Sequence, residues 1–207
     1  MNVETLVVGP IEANCYILYD ADEKSAAIID PGADAPKIIA AVERLGVKPQ
    51  MVINTHGHYD HVGANDAVAR HFDIPVYICR EDAGMLGTPQ DFFGMKVHTK
   101  AADVEMKDGD RLSLAGQTIQ VILTPGHTRG GCVLYLPEAG IAFTGDTVFK
   151  GTVGRTDLDG GSFEDLVTSV QKRMAALPDE TVLYPGHGPK TNLTFERRHN
   201  PYFRWGV

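Results

Sequence analysis

The chain has 207 residues, of which 43% are hydrophobic and 22% are charged, so we expect one globular domain over residues 1–207 and no long disordered segment. The formal net charge of −8 argues against nucleic acid as a partner, because a negative surface repels phosphate. No apolar run approaches the roughly 18 residues of a membrane span, so we expect no membrane contact either.

Two further features favour a cytoplasmic location. The opening residues, MNVETLVVGPIEANC, lack the basic segment and the apolar core of a secretory signal peptide. The three cysteines, Cys15, Cys79 and Cys132, are far apart and form no CxxC pair. We therefore expect three buried thiols in a reducing compartment and no disulfide framework.

The predicted elements are many short strands and three helices. In the first half, apolar runs predict strands at 4–8, 15–19, 26–29, 51–53 and 76–78, a turn at 30–32, and helices near 35–45 and 64–72. In the second half they predict strands at 112–114, 118–123, 133–136, 141–143 and 182–184, and a helix over 162–177 that Ser162 caps. Two β-rich halves with outer helices indicate an α/β sandwich and not an alternating parallel array.

The strongest chemical signal is the segment at 55–61, Thr-His-Gly-His-Tyr-Asp-His, which directly follows an apolar strand. His56 and His58 are two positions apart, and extended backbone places such side chains on one side. Asp60 and His61 follow a bend and can turn toward a neighbouring point. One segment could thus supply ligands to two adjacent metal ions. The alternative is a solvated loop, which is the weaker explanation because histidine is otherwise sparse in this chain.

Three later strands end in a similar way. Each apolar run is followed by a glycine and then by a residue that can bind metal, at Gly126-His127, Gly145-Asp146 and Gly186-His187. Glycine permits backbone angles and a close approach that other residues resist. Four strand ends that each present a ligand predict a cleft along one edge of a sheet. Imidazole with carboxylate suits zinc, iron or manganese, whereas calcium and magnesium prefer oxygen ligands alone.

The pattern HxHxDH with later His, Asp and His resembles the metallo-β-lactamase superfamily, and the resemblance extends from residues 14–18 through the turn at 30–32 to residue 187. It implies an α/β fold, a four-layer αβ/βα sandwich of two mixed β-sheets flanked by helices. It also implies two divalent metal ions, zinc before iron or manganese, that share a bridging hydroxide. The implied ligands are His56, His58 and His127 for one ion, Asp60, His61 and His187 for the other, and Asp146 for both.

Within that superfamily the chain is most similar to the short form of the glyoxalase II (hydroxyacylglutathione hydrolase) branch, which lacks a C-terminal helical domain. The motifs that carry this similarity are THGH at 55–58, GDTVF at 145–149, VGR at 153–155 and YPGHGP at 184–189. It implies hydrolysis of S-D-lactoylglutathione or a related anionic acyl thioester. The chain departs from longer members at Asp157, where they have tyrosine, and at Gly188-Pro189, where they have Glu-Tyr.

Several residues near the ligands have hypothetical roles. Asp60 would orient the nucleophile and carry a proton away. Arg155, Lys150 and Tyr59 are candidate substrate contacts, although Arg155 could equally pair with a neighbouring aspartate, Lys150 could face solvent and Tyr59 could serve only in packing. Two further residues could orient metal ligands, Asp30 and Thr55.

Other functions stay open on sequence alone. The GRTD segment at 154–157 also resembles the persulfide dioxygenases of the same superfamily, which would hold one iron on His56, His127 and Asp146. A nuclease or lactonase of the same fold would share the ligands, but the acidic balance disfavours a nuclease. A true β-lactamase would need export, and a non-enzymatic zinc module would be closed, four-coordinate and often rich in cysteine. We favour hydrolysis because the ending at 184–189 resembles the short hydrolase form.

Overall fold

The computed structural model describes residues 1–92 and 95–204. The strands of its first half are β1 (Asn2–Val8), β2 (Ala13–Asp20), β3 (Ser25–Ile29), β4 (Lys48–Ile53), β5 (Val76–Cys79), β6 (Gln90–Phe92), β7 (Met95–Val97) and β8 (Val104–Met106). The helices of that half are α1 (Ala35–Leu45), α2 (Tyr59–Val62), α3 (Asn65–Phe72) and α4 (Arg80–Ala83).

The second half contains the remaining strands and helices. Its strands are β9 (Arg111–Leu114), β10 (Gln117–Leu123), β11 (Cys132–Leu136), β12 (Ile141–Gly145), β13 (Val148–Phe149), β14 (Thr152–Val153), β15 (Val182–Pro185) and β16 (Thr191–Asn192). Its helices are α5 (Phe163–Thr168) and α6 (Leu193–His199), and a 3₁₀ turn follows at Pro201–Arg204. Every strand that the sequence predicts and the first two predicted helices are present in the described chain, with ends shifted by three residues or fewer.

Two six-stranded mixed sheets form the centre of the fold. The first has the strand order β1-β2-β3-β4-β5-β8, antiparallel over β1 to β3 and parallel from β3 to β8. The second has the order β16-β15-β12-β11-β10-β9, antiparallel except where β12 and β15 run parallel. The expected fold of two mixed sheets flanked by helices is confirmed.

Apolar side chains pack in the three interfaces between four layers. Successive residues of a strand face opposite sides, so Ile17 packs under α1 on the outer face of the first sheet while Leu18 faces the second sheet. Phe143 of β12 meets Leu18 in that middle layer. Leu183 of β15 packs on the opposite face of the second sheet, against the segment that contains Val170.

The strand directions bring four chain segments to one edge of the sandwich. In the second sheet β10, β12 and β15 all run the same way, so their carboxyl ends share an edge. The start of β2 and the carboxyl end of β4 lie at the same edge of the first sheet, because β2 is antiparallel to β3 and β3 is parallel to β4. The two sheets meet at this edge, where Asn14 N donates to Gly186 O at 2.7 Å and Cys132 N donates to Thr55 O at 2.9 Å. The predicted cleft along one edge therefore has a structural basis.

The predicted helix over 162–177 is not a uniform α-helix. Ser162 caps it as expected, accepting a hydrogen bond from Asp165 N at 3.3 Å, but after α5 the chain widens into a π-helical turn at Ser169–Arg173 and then tightens into a 3₁₀ turn at Met174–Ala176. The buried residues Leu166, Val170 and Met174 recur every four positions, and in an α-helix such residues drift by about 40° per step. The wider turn keeps them on one face against the second sheet.

The sequence did not reveal the shortest elements. The β6–β7 hairpin, the strands β8, β13, β14 and β16, and helix α6 have two to seven residues each, which is too short for a periodic pattern. Across the described residues, no helix is both long enough and apolar enough to cross a membrane.

Candidate metal centre

The first group of predicted ligands consists of His56, His58 and His127, and the structure brings the three together. One nitrogen of each ring lies within 4.8 Å of the others. His58 Nδ1 and His127 Nε2 are 2.9 Å apart, and the His56 ring centroid is 4.9 Å from that of His58 and 4.8 Å from that of His127. The three imidazoles thus converge on one point.

The second predicted group consists of Asp60, His61 and His187, whose ligand atoms also lie within 4.8 Å of one another. Asp60 Oδ2 is 3.1 Å from His187 Nε2 and 3.2 Å from His61 Nε2. His61 is fully buried, whereas about a quarter of the His187 side chain is exposed. This group therefore has a closed inner side and a side open to solvent.

Asp146 lies between the two groups. Its Oδ2 is 3.4 Å from His127 Nε2 of the first group and 3.8 Å from His187 Nε2 of the second. Its Oδ1 is 3.5 Å from His61 Nε2. One carboxylate thus reaches both groups. This is the arrangement expected of the shared ligand that the superfamily resemblance implies.

The local backbone explains how one short segment serves both groups. His58 has extended angles, φ −68° and ψ 147°, and α2 begins at the next residue. The extended residues up to His58 therefore belong to the first group, while the helical turn redirects Asp60 and His61 to the second. Gly32 makes this turn possible, because a Cβ there would overlap the Asp60 carbonyl. The predicted turn at 30–32 thus supports the ligand segment.

Two hydrogen bonds orient the imidazoles that contact Asp146. His61 Nδ1 donates to Asp30 Oδ2 at 3.0 Å, and His127 Nδ1 donates to the Arg155 carbonyl at 2.7 Å. Each bond leaves Nε2 directed at the centre of the site. Asp30 also accepts from Thr55 N at 2.7 Å and from Thr55 Oγ1 at 2.6 Å. Asp30 and Thr55 therefore make the orienting contacts that the sequence suggested. Asp30 lies near His56 and His61 as well, but these hydrogen bonds occupy both of its oxygens.

Asp82 is a structural residue of the site that the sequence did not indicate. It is 1% exposed and accepts hydrogen bonds from Gly57 N at 3.0 Å, Thr128 Oγ1 at 2.7 Å and Gly130 N at 2.6 Å. Gly57 lies between two ligands and Thr128 follows His127, so one carboxylate joins two ligand-bearing loops. Burial raises the pKa of Asp82, and the three hydrogen bonds oppose that rise. A lone aspartate in α4 carries no motif that would have signalled this role.

Five of the seven predicted ligands line a cleft of about 920 Å³, and the buried His56 and His61 lie behind it. Tyr59 and Arg155 also line it, as expected of substrate contacts, but Arg155 makes a bidentate ion pair with Asp157 at 2.7 and 2.8 Å. Lys150 is not among the lining residues; its Nζ lies 5.4 Å from the centre of the Phe195 ring. A separate groove of about 510 Å³ contains none of the predicted ligands. The cleft at the strand ends is therefore the candidate site.

Comparison with known proteins identifies the family. Residues 8–187 match the sequence profile of the metallo-beta-lactamase superfamily. The chain belongs to this superfamily. The match begins at the last residue of β1 and ends at His187, so it includes all the predicted ligands and both sheets except their edge strands β1 and β16.

Two relatives of this chain within the superfamily carry names that describe their chemistry. The chain is similar to a probable metallo-hydrolase, YqgX of Bacillus subtilis, with 36% identity over 208 residues, 98% of this chain and 97% of the relative. It is also similar to the hydroxyacylglutathione hydrolase GloC of Haemophilus influenzae, with 34% identity over 208 residues and 98% of each chain covered. The relatives therefore include metal-dependent hydrolases.

Solved structures show the same superfamily fold. The crystal structure of the BLEG-1 B3 metallo-beta-lactamase has a TM-score of 0.93 and 36% identity, and the alignment covers 98% of this chain and 99% of that one. The structure of TTHA1623 in a di-iron-bound form has a TM-score of 0.84 and 35% identity, with 97% and 100% covered. These neighbours confirm the fold and leave zinc and iron both open.

The superfamily implies divalent metal binding, and the residues of this chain fit two divalent ions. His56 Nε2, His61 Nε2 and Asp146 Oδ1 are buried and make no hydrogen bond, whereas buried polar atoms are normally paired. A Cβ at Gly186 would overlap Asp146 Oδ1 and lie 2.8 Å from His61 Cε1, so the backbone there leaves no space for a side chain. The donor set of imidazoles and carboxylates suits zinc, iron or manganese.

The protonation states also suit metal binding. Burial, reinforced by neighbouring imidazoles, holds the pKa of His56 well below its usual value and lowers the pKa of His58 to about 4, so both rings are neutral near pH 7. Burial alone would raise the pKa of Asp60, but His61 and His187 hold it well below its usual range. Burial alone would lower the pKa of His61, but three carboxylates, Asp146 first, raise it. The carboxylates that stabilise a proton on His61 would also attract a metal cation, and binding of the metal would release that proton.

Proposed function

We propose that this protein is a two-metal hydrolase that cleaves acyl thioesters, with zinc as its metal. The observation that carries the proposal is the position of Asp146, whose two oxygens lie 3.4 Å from His127 and 3.5 Å from His61. A carboxylate that reaches two adjacent ligand groups supports a pair of ions and argues against a single structural zinc, whose site would be closed and four-coordinate.

Each part of the centre has a role in the proposed reaction. Two divalent ions bound here would polarise a carbonyl and lower the pKa of a bound water. Asp60 lines the cleft and stays ionised because of His61 and His187. It can therefore accept a hydrogen bond from the attacking water and orient it. Asp30, Asp82 and the Arg155 carbonyl hold the ligands in place and take no direct part.

The choice of a thioester depends on the leaving group. A thiol has a reference pKa of about 8.5, so a thiolate departs without a proton donor, whereas an amine or an alkoxide needs one. The motif at 55–61 supplies no separate acid for that purpose. The relative GloC, at 34% identity, is named a hydroxyacylglutathione hydrolase. Both observations support thioester cleavage, with S-D-lactoylglutathione or a related acyl thioester as the first substrate to test.

We also propose a small-molecule substrate, no nucleic-acid partner and a cytoplasmic location. A cleft of about 920 Å³ has the size of a small-molecule site. The net charge of −8 disfavours phosphate backbones. All three cysteines are buried and unpaired, as is usual in a reducing compartment.

Metal analysis combined with thioester hydrolysis tests this function. Protein purified without added metal should contain about two zinc ions per chain and should release thiol from acyl thioesters. Asp146→Ala should lose metal from both groups, and its kcat/KM should fall by at least about a hundredfold. Replacing a residue that only orients a metal ligand already lowers metal affinity or activity by about 10–100-fold. Asp22→Ala, in the exposed turn after β2, is the matched control and should keep both properties.

The same preparation separates the alternatives. One iron per chain, with oxygen consumed when a persulfide is added, would replace hydrolysis with the dioxygenase function. Efficient opening of a β-lactam, without thioester cleavage, would assign the chain the activity named for its neighbour BLEG-1. Full thioesterase activity in Asp146→Ala would refute the two-metal centre itself.

A further inference from the structure

Outside the metal ligands, the lining of the cleft combines apolar and aromatic side chains with four polar or charged ones, Gln90, Asp91, Arg155 and Asp159. Met85 and Phe149 line it together with Ile11 and Leu158. Ile11 is 39% exposed and Leu158 is 41% exposed, and they are two of the four large hydrophobic residues that are exposed among those the structure describes. Exposing such side chains to water is unfavourable, so two of them beside one opening indicate a surface that an apolar group covers.

The charges at the opening do not favour an anion. The Arg155 guanidinium is the cation in the lining, and its bidentate pair with Asp157 already occupies it. Asp91 and Asp159 also line the cleft; Asp91 is aligned across the β6–β7 hairpin with Lys96, whereas Asp159 makes no ion pair among the described residues. The opening is therefore neutral to acidic, and a carboxylate or sulfonate would have to compete with Asp157 for Arg155.

We infer that the cleft selects its substrate through an apolar acyl chain that covers Ile11 and Leu158, and that it does not select an anionic thiol carrier such as glutathione. This inference rests on the proposed thioesterase function and narrows it. It replaces the expectation of an anionic thioester with that of a neutral or cationic one. The metal ions would still attract the reacting carbonyl, because that attraction acts at the bottom of the cleft and not at its opening.

Matched thioesters test the two halves of the inference separately. Acetyl and hexanoyl groups are each attached to 2-mercaptoethanesulfonate, N-acetylcysteamine and thiocholine, which are anionic, neutral and cationic carriers of similar length. A sulfonate is preferable to a carboxylate because it binds metal weakly. With the metal-loaded enzyme, kcat/KM for the hexanoyl thioesters should exceed that for the acetyl thioesters by about tenfold. Four fully buried methylenes would give a larger ratio, but the contacts at the opening are partly exposed. The anionic carrier should be the poorest, by about threefold, and added salt should reduce that difference.

A rim variant connects the preference to the residues. Leu158→Ser should reduce the advantage of hexanoyl over acetyl by about threefold and leave the number of bound metal ions unchanged. Val7→Ser is the matched control, because Val7 is also an exposed apolar residue, at 47%, but does not line the cleft. Equal loss in both variants would show that the effect is not local to the cleft.

The outcomes distinguish this inference from the proposed function. Thioester hydrolysis that is fastest with the sulfonate carrier, or independent of chain length, would overturn the inference and leave the thioesterase function intact. Hydrolysis of no thioester would overturn the function. In that case the binding of the matched hexyl thioethers to the metal-loaded protein, measured by calorimetry, still decides the inference: stronger binding of the cationic or neutral analogue supports it, and stronger binding of the anionic one refutes it.

Discussion

Replacing Asp82 by asparagine should weaken the fold and the metal site together. The carboxylate is 1% exposed and accepts three hydrogen bonds, two at Oδ2 from Gly57 N and Thr128 Oγ1 and one at Oδ1 from Gly130 N. Asparagine has nearly the same shape but only one acceptor oxygen. If that oxygen takes the place of Oδ2, the new NH₂ group faces the Gly130 N–H, and two donors meet where a bond existed.

The expected loss follows from this geometry. An unpaired buried N–H costs about 1–3 kcal/mol. The two remaining bonds lose the extra strength of a charged acceptor, about 1 kcal/mol together. Asparagine recovers part of this free energy because it carries no charge to bury. The cost of burying the charged carboxylate is also the reason that burial raises the pKa of Asp82. We therefore expect the free energy of unfolding to fall by about 2–3 kcal/mol, which in a domain of this size lowers Tm by roughly 4–12 °C.

Thermal unfolding of the metal-free proteins, followed by circular dichroism, measures this loss without the contribution of bound metal. Asp22→Asn makes the same chemical change at an exposed position and should leave Tm unchanged. Zinc titration should then show weaker binding in Asp82→Asn by about tenfold or more, because the two loops that carry the first ligand group are no longer held together. An Asp82→Asn protein with unchanged Tm and zinc affinity would refute the idea that this carboxylate stabilises the site.

Three other changes test the same structure. Gly186→Ala should lose bound metal, measured by elemental analysis, because the new Cβ would overlap Asp146 Oδ1, whereas Gly84→Ala has open space and should keep it. Thr55→Val removes the 2.6 Å hydrogen bond to Asp30 and should lower the free energy of unfolding in urea by about 1–3 kcal/mol; no change would show that the bond adds nothing. The cysteines should react with a thiol reagent at least about a hundredfold faster in denaturant than in the native protein, and equal rates would contradict the burial of Cys15, Cys79 and Cys132.

The convergence of the candidate metal ligands could be predicted because its signals are local. Each ligand lies within a few residues of an apolar strand, and strand direction then brings the ends together. The bend after His58 could also be predicted from the sequence. His56 and His58 have the two-residue spacing of extended backbone, whereas Asp60 and His61 are adjacent in the sequence. Asp30 was a reasonable candidate because it lies in a turn that directly follows a strand. These features depend on a few neighbouring residues, which a single sequence contains.

Features that depend on distant residues could not be predicted. Asp82 contacts residues 25 to 48 positions away, and nothing in its own surroundings indicates those partners. Lys150 lies only four residues after Asp146 in the sequence, but its ammonium group lies over the ring of Phe195 in α6. Helix α6 is too short for its sequence pattern to be recognised. The parallel pairing of β12 with β15 has no local signal either, because about 40 residues separate the two strands.

The same reasoning separates the chemistry of this protein from its choice of substrate. Its sequence identity is 34% to a hydroxyacylglutathione hydrolase and 36% to a B3 metallo-beta-lactamase, so overall similarity does not decide between those substrates. The ligands come from strand ends that the whole fold holds in place, and they supply a reaction that suits either substrate. Ile11 lies instead on the connection between β1 and β2, and Arg155 and Leu158 lie on the connection between β14 and α5, where sequence can change without disturbing the sheets. Under the inference drawn above, substrate preference would depend on the side chains of these connections, which in this chain are apolar residues and an arginine paired with Asp157.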